Sequence, residues 1–229
     1  MDAPEFRFER LGRLGYAEAL GLQRQVHAEV LAGRAAGVPH RILLVEHPPT
    51  VTVTRRPGAA EHVLADAARL AALGVERHDT DRGGDVTYHG PGQAVAYPIV
   101  DLQRLGIGIH AYIRCLERAA IGACARWGVA CHPEEGATGV WTGGPGPSAR
   151  KIAAIGVRVS RSVTMHGIAL NADPDLSHFG LIVPCGLHGR TVTSLRAEAG
   201  ARGPSAAEAA DALGEEIASA LRRAAVTRP

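Results

Sequence analysis

Short apolar runs and stretches of helical periodicity take turns along this chain, and glycine or proline closes almost every one. This restricts it to a fold that mixes strands with helices. Residues 16–31 repeat apolar positions at helical spacing through Tyr16, Leu20, Val26 and Val30, and residues 41–46 form a short apolar run that His47-Pro48-Pro49 breaks. Residues 51–54 read as a second strand. A helix over 65–73 stops at Gly74, and a longer amphipathic helix over 110–127 stops at Gly128. Between them, 86–88 and 94–100 predict strands flanking the loop His89-Gly90-Pro91-Gly92-Gln93. Residues 139–142, 151–159 and 166–172 predict further strands, the last two paired through a turn near 160–162. Ser205 and Glu208 match a capping box, which starts a closing helix ending near residue 225. With no internal repeat, charge block or linker composition, the expectation is a single domain over residues 1–229, its core at about 36–225.

Composition narrows the function classes. The 229 residues are 46% hydrophobic and 21% charged, the balance of a globular protein. No basic leader and no span-length apolar run is present, so the expected location is the cytoplasm, with no membrane contact. A net charge of +2 and 4% aromatic residues do not predict nucleic-acid binding, whereas a mildly basic surface suits an acidic protein partner. Cys115, Cys124, Cys131 and Cys185 form no Cys-x-x-Cys pair and read as reduced thiols. The histidines show no metal-ligand spacing, and neither metal nor cofactor is expected. Of the 25 lysine and arginine residues, only Lys151 is a lysine.

Three segments combine glycine with reactive side chains: Arg82-Gly83-Gly84-Asp85-Val86-Thr87-Tyr88-His89-Gly90-Pro91-Gly92-Gln93, Arg150-Lys151-Ile152-Ala153-Ala154-Ile155-Gly156, and Val183-Pro184-Cys185-Gly186. Glycines let backbone amides approach a ligand and point N–H groups at a developing oxyanion. The first segment has neither phosphate-loop nor dinucleotide-site spacing, and a tight hairpin beside a core is its plain alternative. Cys185 follows an apolar run, the usual setting of an inert buried thiol, yet Pro184 and Gly186 put it at a sharp bend that can present a nucleophile. Lysine, unlike arginine, can give up its proton, so Lys151 can exchange one with a thiol. Its alternative is a surface lysine without a role. His89 and His166 read as structural on their residue type alone.

At these segments the chain resembles the lipoyl(octanoyl) transferases. Their signature R-G-G-x-x-T-aromatic-H-x-x-G-Q-x-aliphatic-x-Y is matched at every stated position from Arg82 to Tyr97. The resemblance continues through His47-Pro48-Pro49, Lys151 to Gly156, His166 to Asn171, Pro184-Cys185-Gly186 and Val192-Thr193-Ser194-Leu195. One departure is Thr54, where the family usually has glycine in a T-x-G-R-R form. The resemblance implies an α+β fold, a mixed β-sheet with helices packed outside, shared with biotin and lipoate protein ligases. It implies Cys185 as acyl-thioester nucleophile and Lys151 as its acid/base partner. It assigns Arg82, Gly83, Gly84, Asp85, Val86, Thr87, Tyr88, His89, Ala154, Ile155, Gly156, Gly167, Ile168 and Ala169 to the walls around the acyl chain. The implied donor is octanoyl-acyl carrier protein. The implied acceptors are lysines of lipoyl domains in 2-oxoacid dehydrogenase complexes and of the glycine-cleavage H protein. Apart from the resemblance, a monomer is expected. The rival readings are an ATP-dependent lipoate–protein ligase, a non-catalytic binding module for acyl carrier or lipoyl domains, and a cysteine hydrolase.

Overall fold

A computed structural model describes residues 4–183 and 190–226. Strand β1 (Phe6–Arg13) is followed by helix α1 (Tyr16–Ala32), which carries the chain over to β2 (His40–Glu46), parallel to β1. The other strands of the large sheet are β6 (Gln93–Ile99), β7 (Cys131–Glu134), β8 (Ala137–Thr142), β9 (Arg150–Ser160) and β10 (Val163–Asn171). They run in the order β1-β2-β6-β10-β9-β8-β7, and the short β11 (Thr191–Val192) lies parallel on β9. A smaller sheet in the order β4-β3-β5 joins β3 (Thr50–Thr54), β4 (Glu76–Thr80) and β5 (Thr87–His89). Helix α2 (Ala67–Ala72) connects β3 to the parallel β4. The chain is completed by α3 (Leu102–Leu105), α4 (Ile109–Ala125), α5 (Leu195–Ala199) and α6 (Ala206–Val226).

Helices cover both faces of the large sheet, which explains why its central strands β2, β6 and β10 read as continuous apolar runs rather than as alternations. In β2, Ile42 and Leu44 point into a core shared with α4 and α6, while Leu43 and Val45 point into one shared with α1. The predicted α1, α4 and α6 and the predicted strands of the sheet centre all form, within a residue or two at most ends. Ser205 and Glu208 close the capping box: the Ser205 amide donates to Glu208 Oε2 at 2.9 Å and the Glu208 amide to Ser205 Oγ at 3.3 Å. Helix α2 is shorter than its predicted span because Asp66 caps it, its side chain accepting from the Arg69 amide. Strands β1 and β4 escaped the sequence reading because their charged residues, Arg7 and Glu9 in one and Glu76, Arg77 and Asp79 in the other, hide the strand pattern.

β9 and β10 form a two-residue hairpin in which Arg161 and Ser162 both take positive φ, at 50° and 68°. It sets Gly156 opposite Gly167 on adjacent strands. A Cβ on Gly156 would stand 2.9 Å from both Arg82 Cδ and the Gly83 carbonyl oxygen, so the bare backbone is what lets the glycine segment lie on β9. The Gly83 amide donates to the Val157 carbonyl at 2.8 Å and pins it there.

Candidate active site

Between the glycine segment, β9 and β10 lies a cavity of about 480 Å³, counted out to its open mouth. One side is made by Arg82, Gly84, Thr87 and His89, the other by Ala154, Ile155, Gly156, Gly167, Ile168 and Ala169. Of the remaining wall residues expected from sequence, Gly83, Asp85, Val86 and Tyr88 do not line it: Gly83 is exposed to solvent, and the other three are buried. Side chains alternate along β5, so Thr87 and His89 face the cavity while Val86 and Tyr88 enter the small apolar core with Phe179 and Leu181. Tyr88 Oη lies 2.7 Å from His178 Nδ1, and Asp85 pairs with His62 at 2.8 Å. Thr54, at the position of the family's glycine, ends β3 and donates its hydroxyl to the Gly84 carbonyl at 3.1 Å, tying the small sheet to the glycine segment.

Tyr16, Val95, Tyr97 and His166 also line the cavity. Tyr97 falls inside the signature, but Tyr16 arrives from α1, and nothing in its local sequence marks it. Its hydroxyl is 2.8 Å from Thr80 Oγ1. His47 Nδ1 donates to the Leu14 carbonyl at 2.7 Å, which leaves Nε2 to accept from Tyr97 Oη at 2.7 Å. His166 sits in β10 with φ +57°, a backbone state costly for a non-glycine residue. Two contacts hold it: its amide donates to Gln23 Oε1 at 2.8 Å, and its Nε2 donates to Asp81 Oδ1 at 2.9 Å.

The cavity's histidines are neutral near pH 7. Burial is the main cause in His89, whose pKa is pressed down to about 3, with nearby His47 pushing the same way. Burial also lowers His47 and His166, the latter against the upward pull of Asp81. Burial alone would raise Asp81, but its bond to His166 and the charge of Arg158 outweigh that and hold it below the usual carboxylate range. The Arg82 guanidinium donates to the Thr52 and Asp85 carbonyls at 3.3 and 2.7 Å, and the rest of the lining is uncharged rings and small residues, a surface that suits an apolar chain.

Lys151 is not in the cavity wall but stands on the same strand, three residues before Ala154. It is 5% exposed. Its Nζ donates to the Thr138 carbonyl at 3.2 Å and lies 4.8 Å from the centre of the Trp141 ring. The Arg190 guanidinium meets the same ring at 4.9 Å. Cys185 lies outside the described residues. On one side of that segment the Val183 amide donates to the His62 carbonyl at 2.8 Å; on the other, Val192 pairs with Lys151 in the β11–β9 ladder. Cys115 and Cys124 are buried in the helical core, as read from sequence, and Cys131 is partly buried.

Residues 15–218 match the family described as the lipoyl protein ligase A/B catalytic domain. The chain is 50% identical over 197 residues to an octanoyltransferase of Acidobacterium capsulatum, covering 82% of this chain and 78% of that one. It is 48% identical over 208 residues to an octanoyltransferase of Chloroflexus aurantiacus, covering 90% of each. In fold it is similar to a bi-partite lipoate protein ligase of Thermoplasma acidophilum, with a TM-score of 0.70 at 16% identity over 95% of this chain and 84% of that one.

Proposed function

This chain belongs to the lipoyl protein ligase A/B catalytic domain family and is an octanoyltransferase, and we propose that it moves the octanoyl group through a thioester on Cys185. The donor in this reading is octanoyl-acyl carrier protein. The Cys185 thiolate attacks the carrier's thioester carbonyl, the tetrahedral adduct collapses, and the carrier's thiol leaves with a proton. One thioester replaces another, so the step is nearly balanced and needs no nucleotide. The ε-amine of an acceptor lysine on a lipoyl domain or a glycine-cleavage H protein then attacks. Amide formation frees Cys185 and makes the overall transfer downhill. The reaction belongs in the cytoplasm, where carrier and acceptors meet.

Lys151 takes the proton of Cys185 in the first step, gives it to the departing carrier thiolate, and is then free to take the proton of the incoming amine in the second and return it to Cys185. The observation that carries this role is its setting. The one lysine of an arginine-rich chain is buried against Trp141, on the strand that pairs with β11, just downstream of the Cys185 segment. The cavity beside that strand holds the chain, with Arg82, Gly84, Thr87 and His89 on one wall and Ala154 to Gly156 and Gly167 to Ala169 on the other. Asp85, Val86 and Tyr88 support the first wall from behind, and Gly83 ties it to β9. Backbone amides near Cys185 supply the oxyanion contacts, each worth roughly 3 kcal/mol in such sites.

Mass spectrometry of the enzyme mixed with octanoyl carrier tests the route. An octanoyl adduct on the wild type that disappears in Cys185→Ser is expected, and an undiminished adduct in that variant would overturn it. Activity from free octanoate that requires ATP, with none from the carrier thioester, would point instead to ligase chemistry on this fold.

A further inference from the structure

Beside the cavity runs a chain of buried hydrogen bonds that the transfer steps above do not use. His89 Nδ1 meets Gln93 Oε1 at 2.6 Å, Gln93 Nε2 donates to Asn171 Oδ1 at 2.9 Å, and Asn171 Nδ2 donates to the Thr193 carbonyl at 2.9 Å. The Thr193 amide donates in turn to the Lys151 carbonyl at 2.9 Å. His89, Gln93, Asn171 and Thr193 are all buried, so water cannot cheaply replace a broken link.

The direction of this chain is set at its Thr193 end. A carbonyl oxygen only accepts, so Asn171 must turn its NH2 toward Thr193 and its oxygen toward Gln93. Gln93 must then give its NH2 to Asn171 and its oxygen to His89. The Tyr88 carbonyl, 3.4 Å from Gln93 Nε2, enforces the same orientation. His89 therefore carries its proton on Nδ1 and its lone pair on Nε2, in a ring that lines the acyl cavity. Asn171 is where these constraints meet. It ends β10, touches the first residue of β6, and holds the peptide that follows β11, whose partner is the Lys151 strand.

We infer that Asn171 is a positioning residue for acyl transfer, coupling the tautomer and orientation of His89 in the acyl cavity to the backbone that carries Lys151. The inference rests on the Cys185–Lys151 route proposed above. Holding the acyl chain on one end of the network and the proton-transfer strand on the other fixes the distance between the bound carbonyl and the lysine, and tenths of an ångström there change the rate.

Asn171→Asp tests it. The carboxylate keeps the size of the side chain and the acceptor for Gln93, but sets an oxygen against the Thr193 carbonyl. Long-range 1H–15N spectra of the imidazoles should show His89 protonated at Nδ1 in both wild type and variant. The kcat of octanoyl transfer should fall by about tenfold or more while KM for octanoyl carrier stays within about threefold, a split that general loosening of the fold would not give. Wild-type kcat in Asn171→Asp, or an Nε2-protonated His89 in the wild type, overturns the inference. Should Asn171→Asp fail to fold, Gln93→Glu breaks the chain from the other side. It should show the same loss in kcat together with a doubly protonated His89 near pH 6, and wild-type kcat there would equally overturn it. Absence of a Cys185 adduct in the wild type would sink the transfer route alone, because the imidazole spectra read the hydrogen-bond chain without any turnover.

Discussion

His40 offers a measurable handle on how this fold responds to acid. It opens β2 at 1% exposure, its Nδ1 accepts the Asp101 amide at 3.2 Å, and its ring leans on Phe6 at 5.3 Å between centres. Burial first, then the charge of Arg104, presses its pKa from 6.5 to about 4 against the opposing pull of Asp101. The unfolded chain therefore binds this proton near pH 6.5 and the folded chain only near pH 4, so the unfolded state holds more protons across the window and stability falls as pH falls through it. Integrated from about pH 6.5 to about pH 4.5, the loss is about 2 kcal/mol from His40 alone, and His89, held at about 3, adds a similar amount. His40→Asn retains an acceptor for the Asp101 amide but cannot titrate. Urea unfolding at about pH 6.5, 5.5 and 4.5 should find the variant less stable by about 1 kcal/mol at the highest pH and more stable than wild type at the lowest. Carboxylates that also lose stabilising contacts in acid act on both proteins alike and cancel in the comparison. A gap that stays constant to within about 0.5 kcal/mol would refute the reasoning.

Lys151→Arg keeps the charge but cannot release a proton, so octanoyl transfer should be lost with far-ultraviolet dichroism unchanged; full activity would rule out an acid/base role. Gly156→Ala brings a methyl within 2.9 Å of Arg82 Cδ and the Gly83 carbonyl oxygen, narrowing the cavity proposed to hold the acyl chain. KM for octanoyl carrier should rise about tenfold, and less for a hexanoyl carrier, measured by steady-state transfer. Gly167→Ala drives a methyl into the Ala96 carbonyl oxygen and to 2.7 Å from Pro98 Cδ, contacts made of backbone and ring that cannot swing aside. A loss of roughly 2–3 kcal/mol is expected from urea unfolding.

Much of this protein was legible residue by residue because the signals are local. The period of apolar positions predicts α1, α4, α6 and the central strands. The Ser205–Glu208 spacing predicts the α6 start, and the run from Arg82 to Tyr97 supplies residues that line the cavity. Strands β1 and β4 were hidden because exposed positions there carry charge. Tertiary structure alone decided which side chains of the glycine segment face the cavity, since register along β5 turns Thr87 and His89 inward and Val86 and Tyr88 away. It also brought Tyr16 to the cavity and joined His89, Gln93, Asn171 and Thr193 into one hydrogen-bond chain, although Gln93 and Asn171 are 78 residues apart. Periodicity reports how a segment divides its faces between core and solvent. Which partner each face meets depends on contacts between distant segments, and those exist only once the sheet has closed.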